Sequence, residues 1–176
     1  LQAGNLHPLF SGPALFLEAD MDYEKKIKKA ESISEIFEIA KEIVWEYLGV
    51  EQAGLMVGIS DLGYYNNGFI GAFYLLNSNM IVINKRPLGR LLQTNPRLYN
   101  YYLFHVILHE YLHSVGSEDE METRQLVYEI SGHYFGEIHA ITQFASKIEK
   151  FMPNLTYPGK GHTEPKNINI EFVKGI

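Results

Sequence analysis

Cysteine is missing from all 176 residues, which excludes a disulfide framework, a thiolate metal site and a cysteine nucleophile. Any metal in this chain must therefore be held by histidine and carboxylate. No run of about eighteen apolar residues occurs, so a membrane-spanning helix is not expected. Basic charge is in deficit: 15 Lys and Arg against 21 Asp and Glu give a net charge of −6, which leaves no diffuse cationic surface for a nucleic acid. Proline is sparse at 7 residues and there is neither an internal repeat nor a low-complexity linker.

What is present is apolar enough for a real core: 46% hydrophobic and 20% charged residues in one domain-sized chain. The stretch Leu9 to Leu17 is interrupted by Ser11-Gly12-Pro13 and lacks a basic start, so it reads poorly as a secretory signal and suggests a cytoplasmic setting. With Leu1 at the front and Met21-Asp22-Tyr23 resembling a natural start, residues 1–20 read as an expression remnant or loose arm, and 21–176 as one domain.

From Tyr23 to Leu48 apolar residues recur at three and four, predicting an amphipathic helix with a break near Ser32-Ile33-Ser34 and a stop at Gly49. The period then changes. Ala53 to Ser60, Gly68 to Leu76 and Met80 to Asn84 are short and rich in β-branched and aromatic residues, and turn signals separate them. The last two are close enough to form a hairpin, which requires an antiparallel edge. A short helix near Leu88 to Gln93 and a long one from Asn95-Pro96 to Val115 follow, the latter ended by Gly116. Glu118, Asp119 and Glu120 crowd the first turn of a third helix, where acids favour the dipole and would ordinarily face solvent. A further helix spans about Ile141 to Phe151, and Ile168 to Val173 reads as a strand. The fold class is α+β, with a small mixed sheet packed on helices.

The chemistry lies in His109-Glu110-Tyr111-Leu112-His113, an HExxH pattern inside the long predicted helix. Residues four apart stand one turn above another on one face, so both imidazoles can reach a single ion at about 2.0 to 2.1 Å. Glu110 lies about a hundred degrees round the helix, beside the ion, where it can take a proton from attacking water and pass it to a leaving amine. A catalytic zinc needs a third protein ligand and an open position. If the Gly116-Ser117 reversal makes the two helices antiparallel, Glu122 faces His113 and Glu129 lies too far along. Asp119 is the alternative, since His109 to Asp119 reads HExxHxxGxxD with a glycine bend before the third ligand. His133 would reach only if its helix broke at Gly132, and His105, one turn before His109, reads as a half-buried histidine or a partner of the ligands.

At residues 109–113 the sequence resembles the zincin metallopeptidases, and over roughly residues 50–130 it resembles their order of helix, sheet with edge hairpin, active helix and glutamate-bearing helix. Within that clan it is most similar to the compact gluzincins, or minigluzincins. That resemblance implies Zn²⁺ on His109, His113 and Glu122, Glu110 as the general base, and a peptide or protein substrate added as a strand to the hairpin Gly71-Ala72-Phe73-Tyr74 and Met80-Ile81-Val82-Ile83-Asn84. The metzincin branch is the rival, with Gly116 and Asp119 at its bend and third ligand and Met152 in the place of its methionine turn. A different class of function also fits the motif: a metal-stabilised binding or regulatory domain without turnover.

Overall fold

The computed structural model describes residues 23–63, 69–76, 78–151, 155–156 and 169–176. The first predicted helix is two: α1 over 23–29 and α2 over Ile33–Leu48, parted where Ser32 caps α2 by accepting a hydrogen bond from the Glu35 amide. Gly49 ends α2 in the left-handed conformation, φ 69°, with its amide on the Trp45 carbonyl. Strands β1 (Met56–Ser60), β3 (Ala72–Leu75) and β4 (Met80–Asn84) fall inside the predicted segments, while β2 (Phe69–Ile70) is split off ahead of β3. Then come α3 (Lys85–Thr94), a 3₁₀ turn at Pro96–Leu98, α4 (Tyr99–Ser114), α5 (Glu120–Phe135) and α6 (Ala140–Phe151). The chain closes with β5 (Leu155–Thr156) and β6 (Glu171–Phe172).

The main sheet has the order β3-β4-β1-β6. β1 and β4 run parallel, β3 is antiparallel to β4 at one edge, and β6 is antiparallel to β1 at the other. The architecture is thus α+β with a mixed four-stranded sheet, and the predicted antiparallel hairpin edge is β3–β4. β2 and β5 form a separate parallel pair, which no sequence pattern announced. Residues 1–20 and Met152 lie outside the described residues.

Helix α4 runs through the middle of the molecule. Every residue from Tyr101 to Leu112 is buried, including His105, His109 and Glu110. α2 packs on it through Ile36, Phe37, Ala40 and Ile43, the sheet through Ile81 and Ile83, α5 through Val127 and Ile130, and α6 through Ile141 and Phe144. A helix wrapped on all sides is held rigidly, which suits side chains that must meet at fixed spacing. Among the described residues no helix is long and apolar enough to cross a membrane.

Asn84 ties the sheet to the helices. Fully buried at the end of β4, it donates to the Ile70 carbonyl at 2.8 Å and accepts from the amides of Leu62 and Arg86, each at 3.2 Å. The Arg86 contact makes it the N-cap of α3. Replacing it by leucine removes the cap and strands a buried carbonyl and amide. Asn84→Leu is therefore expected to lower unfolding free energy by about 2 to 4 kcal/mol, read from urea denaturation. A loss under about half a kcal/mol would show that the contacts are dispensable.

Candidate metal centre

The site is built by the way α4 ends. Gly116 has φ 108°, a conformation costly to other residues, and lets the chain close a Schellman motif: the Ser117 amide bonds to the Leu112 carbonyl at 3.0 Å and the Gly116 amide to the His113 carbonyl at 3.2 Å. This turn aims the Ser117 carbonyl back at His113, whose Nδ1 lies 2.6 Å away. A carbonyl can only accept, so Nδ1 carries the proton and Nε2 is left with its lone pair directed outward. Two residues on, Asp119 caps α5, accepting from the amides of Met121 at 2.9 Å and Glu122 at 3.2 Å. Thr123, fully buried, ties the turn together through the Ser117 hydroxyl at 2.6 Å and the Asp119 carbonyl at 2.8 Å.

The first residue of α5, Glu120, then stands over the histidine pair. His109 Nε2 and His113 Nε2 are 3.2 Å apart, and Glu120 Oε2 is 3.3 Å from each. These three side chains form the one His/Cys/Asp/Glu group among the described residues whose donor atoms are close enough to share a cation. Tetrahedral geometry with bonds of about 2.0 Å places ligand atoms about 3.3 Å from one another, which is the spacing of this triangle. Hydrogen bonding alone serves it poorly. Two ring nitrogens carry at most two protons for three edges, and if both are protonated the edge between them becomes repulsive. A cation at the centre satisfies all three donors at once. The second oxygen, Glu120 Oε1, is buried with no hydrogen-bond partner among the described residues, a cost of about 1 to 3 kcal/mol that a coordinated ion would relieve. The donor set thus fits a divalent metal.

Electrostatics agree with the geometry. Burial works against ionising Glu120, yet the hydrogen bonds and charges of His109 and His113 hold its carboxyl down to about 2. For His113 burial works against protonation, but Glu120, Glu110 and the Ser117 carbonyl outweigh it and raise the imidazole above its ordinary value. Glu110 is only 2% exposed, and desolvation raises its carboxyl, against the pull of both histidines and of a hydrogen bond from the Tyr74 amide. That amide belongs to the edge strand. Because the Asn84 amide bonds to the Gly71 carbonyl and Ala72 stands opposite Ile83, the alternation sends the main-chain groups of Phe73 and Leu75 toward β4 and those of Ala72 and Tyr74 outward. The outer rim of the sheet and the carboxyl of Glu110 are therefore in direct contact.

Of the residues singled out from sequence, His109, Glu110 and His113 stand together and Glu122 does not. Glu122 is exposed on the far side of the first turn of α5, and the carboxylate that meets the histidines is Glu120. The antiparallel-helix expectation failed because α5 begins only at residue 120, after the five-residue connection 115–119, so its first residue already lies level with His113. The expectation that Glu120 faces solvent is corrected with it. Asp119 has committed its carboxylate to the helix cap, Glu129 is exposed and accepts from Gln125 at 2.8 Å, and the exposed His133 packs on Tyr47 and Tyr134. His105 is fully buried against Phe144, and desolvation pushes its imidazole down to about 3, so it stays neutral. One sequence signal could have found Glu120: Asp119-Glu120-Met121-Glu122 has the D-x-x-E spacing of a capping box, which assigns residue 119 to the cap and residue 122 to its outer turn.

No family model, curated protein or solved structure matches this chain, so the site is read from its own geometry. Glu120→Gln is expected to weaken Zn²⁺ binding by at least about a hundredfold, measured by competition with a chromophoric chelator, whereas Glu122→Gln leaves it unchanged. The reverse order would return the third donor to Glu122.

Proposed function

We propose that this chain is a zinc-dependent metallopeptidase of zincin type, closest in plan to the compact gluzincins, with His109, His113 and Glu120 as ligands and Glu110 as general base. The observation that carries the proposal is the three-donor triangle beside a buried carboxyl that borders a sheet edge. Two histidines and one glutamate are the ligand set of catalytic rather than closed structural zinc sites, and three donors leave a fourth position for water. That favours turnover over a metal-stabilised domain that only binds. The mixed sheet with β3 antiparallel at its edge, the HExxH helix α4 and a glutamate on the next helix support the zincin comparison. The commitment of Asp119 to capping counts against the metzincin branch.

When bound, zinc would supply Lewis acidity to a carbonyl and lower the pKa of water beside it. The chain does the rest. The outward groups of Ala72 and Tyr74 can pair with an extended peptide as an added strand, which fixes the scissile bond along α4. Glu110, whose pKa is raised by burial and so lies nearer to neutral than an exposed carboxylate, takes the proton of the attacking water and delivers it to the leaving amine. His113 is held in its ligating tautomer by the Ser117 carbonyl.

Glu110→Gln keeps the size and hydrogen-bonding reach of the side chain but cannot carry a proton. It is expected to retain one zinc per chain and to lose cleavage of a casein or quenched-peptide substrate by about 10² to 10⁴-fold in kcat. Wild-type turnover in that variant would remove the mechanism.

A further inference from the structure

The two histidines of the triangle stand in different surroundings. The side chain of His109 is 1% exposed and gripped by packing, whereas that of His113 is 19% exposed and projects from the last turn of α4. A ring at a helix end keeps one orientation and one tautomer only if its second nitrogen is fixed. For His113 the fixing group is the Ser117 carbonyl, which belongs to the connection between α4 and α5 and to no regular element. A pair of hydroxyls holds that connection. Ser117 Oγ and Thr123 Oγ1 are 2.6 Å apart, and Thr123 Oγ1 lies 2.8 Å from the Asp119 carbonyl, 3.3 Å from the Ser117 carbonyl and 3.5 Å from His113 Nδ1. Each hydroxyl has one proton. The nearer carbonyl, that of Asp119, takes the proton of Thr123, so Ser117 is the donor between the two hydroxyls. This order also turns the Thr123 proton away from His113. Were it aimed at Nδ1, that nitrogen would have to accept, the ring proton would sit on Nε2, and the lone pair facing the triangle would be lost.

We infer that Thr123 and Ser117 are the positioning residues of the metal centre: their hydroxyl pair seats the Ser117 carbonyl on His113 and so keeps Nε2 of that ring ready for the ion. The inference rests on His109, His113 and Glu120 as the ligands and adds what readies them before an ion arrives. A threonine bonding back to the carbonyl four residues earlier is ordinary in a helix and needs no site to explain it. The second partner is what sets Thr123 apart. It is fully buried, where a valine would fill the same space without a polar atom, and it spends its hydroxyl on the connection that carries the acceptor of a ligand ring. Thr123 also lies three residues past Glu120, on the neighbouring turn of α5. One side chain thus joins the two helices that supply the ligands. Ordering the ring and the turn is then completed on folding, and little of it is left to oppose binding of the ion.

The test compares the full-length chain with Thr123→Val, which keeps the volume and removes the hydroxyl, with the conservative Thr123→Ser, and with Ser117→Ala. The control is Thr142→Val, at another fully buried threonine, whose hydroxyl donates to the Gly136 carbonyl at 2.9 Å. Three quantities are read for each: Zn²⁺ affinity by chelator competition, the His113 tautomer from ring ¹⁵N shifts of the metal-free chain at alkaline pH, and the urea midpoint. Thr123→Val and Ser117→Ala are expected to weaken Zn²⁺ by about tenfold or more and to mix the two tautomers of His113, while Thr123→Ser stays within about threefold of wild type. Thr142→Val should lower the urea midpoint but keep wild-type affinity and a single tautomer. Should Thr123→Val fail to fold, Ser117→Ala breaks the same hydroxyl pair from the half-buried side and decides the matter. Wild-type affinity and tautomer in the folded variants overturn the positioning role and leave the ligand set standing. So does an equal loss of Zn²⁺ in Thr142→Val, which would make the effect one of general stability. If wild type itself binds no Zn²⁺, the ligand reading falls and the positioning role with it.

Discussion

The proposed function depends on three lone pairs being forced toward one point. His109, His113 and Glu120 meet at 3.2 to 3.3 Å, close enough that their polar atoms must share something and too many for the available protons to satisfy. Such an arrangement is unfavourable without a cation, because each donor has given up water and Glu120 leaves an oxygen without a partner. A divalent ion turns the same strain into binding energy. With Glu110 also buried nearby, two carboxyls and two imidazoles surround a space where a charge of +2 would balance both acids if ionised. The pKa directions follow the same field: Glu120 is pulled down by the rings, while Glu110, more thoroughly desolvated, is pushed up. Two glutamates ten residues apart thus acquire the opposite properties a ligand and a base require.

The convergence is a product of the turn as much as of the helix. An HExxH pattern on α4 brings two histidines to one face, but only the reversal at Gly116 brings the third side chain. An added Cβ at Gly116 would meet no atom within 4 Å, so the glycine is required by its backbone angle and not by crowding. A residue that resists φ 108° would disturb the Ser117 carbonyl and the Asp119 cap together, and through them the tautomer of His113 and the position of Glu120. The turn, the caps and the ligand set therefore form one unit, with Thr123 buried at its centre.

This explains which parts were readable in advance. Amphipathic α2, the hairpin β3–β4 and the helix carrying His109 and His113 announce themselves through local periodicity, which is a property of neighbours in sequence. The split between α1 and α2 at Ser32 was legible from its capping chemistry. The third donor was not reached, because choosing between Glu120 and Glu122 depends on the residue at which α5 starts, and a shift of two positions rotates a side chain by about 200°. Local pattern places helix ends to within a few residues, which is too coarse for that decision. The pairing of β2 with β5, and of β1 with β6, joins segments about a hundred residues apart, and no local signal encodes it. Nor could the burial of α4 on every side be foreseen, since the packing of four separate elements around it creates that environment.

The proposed placement of the substrate has a further consequence for selectivity. A peptide added to β3 would be held through main-chain groups that every residue possesses, so docking at the edge strand confers orientation with almost no choice of sequence. The proposed base on α4 touches that strand, because the Tyr74 amide reaches Glu110, so the distance from an added peptide backbone to the proton acceptor would be set by sheet geometry and not by a loop. Discrimination must then come from side-chain pockets off the strand.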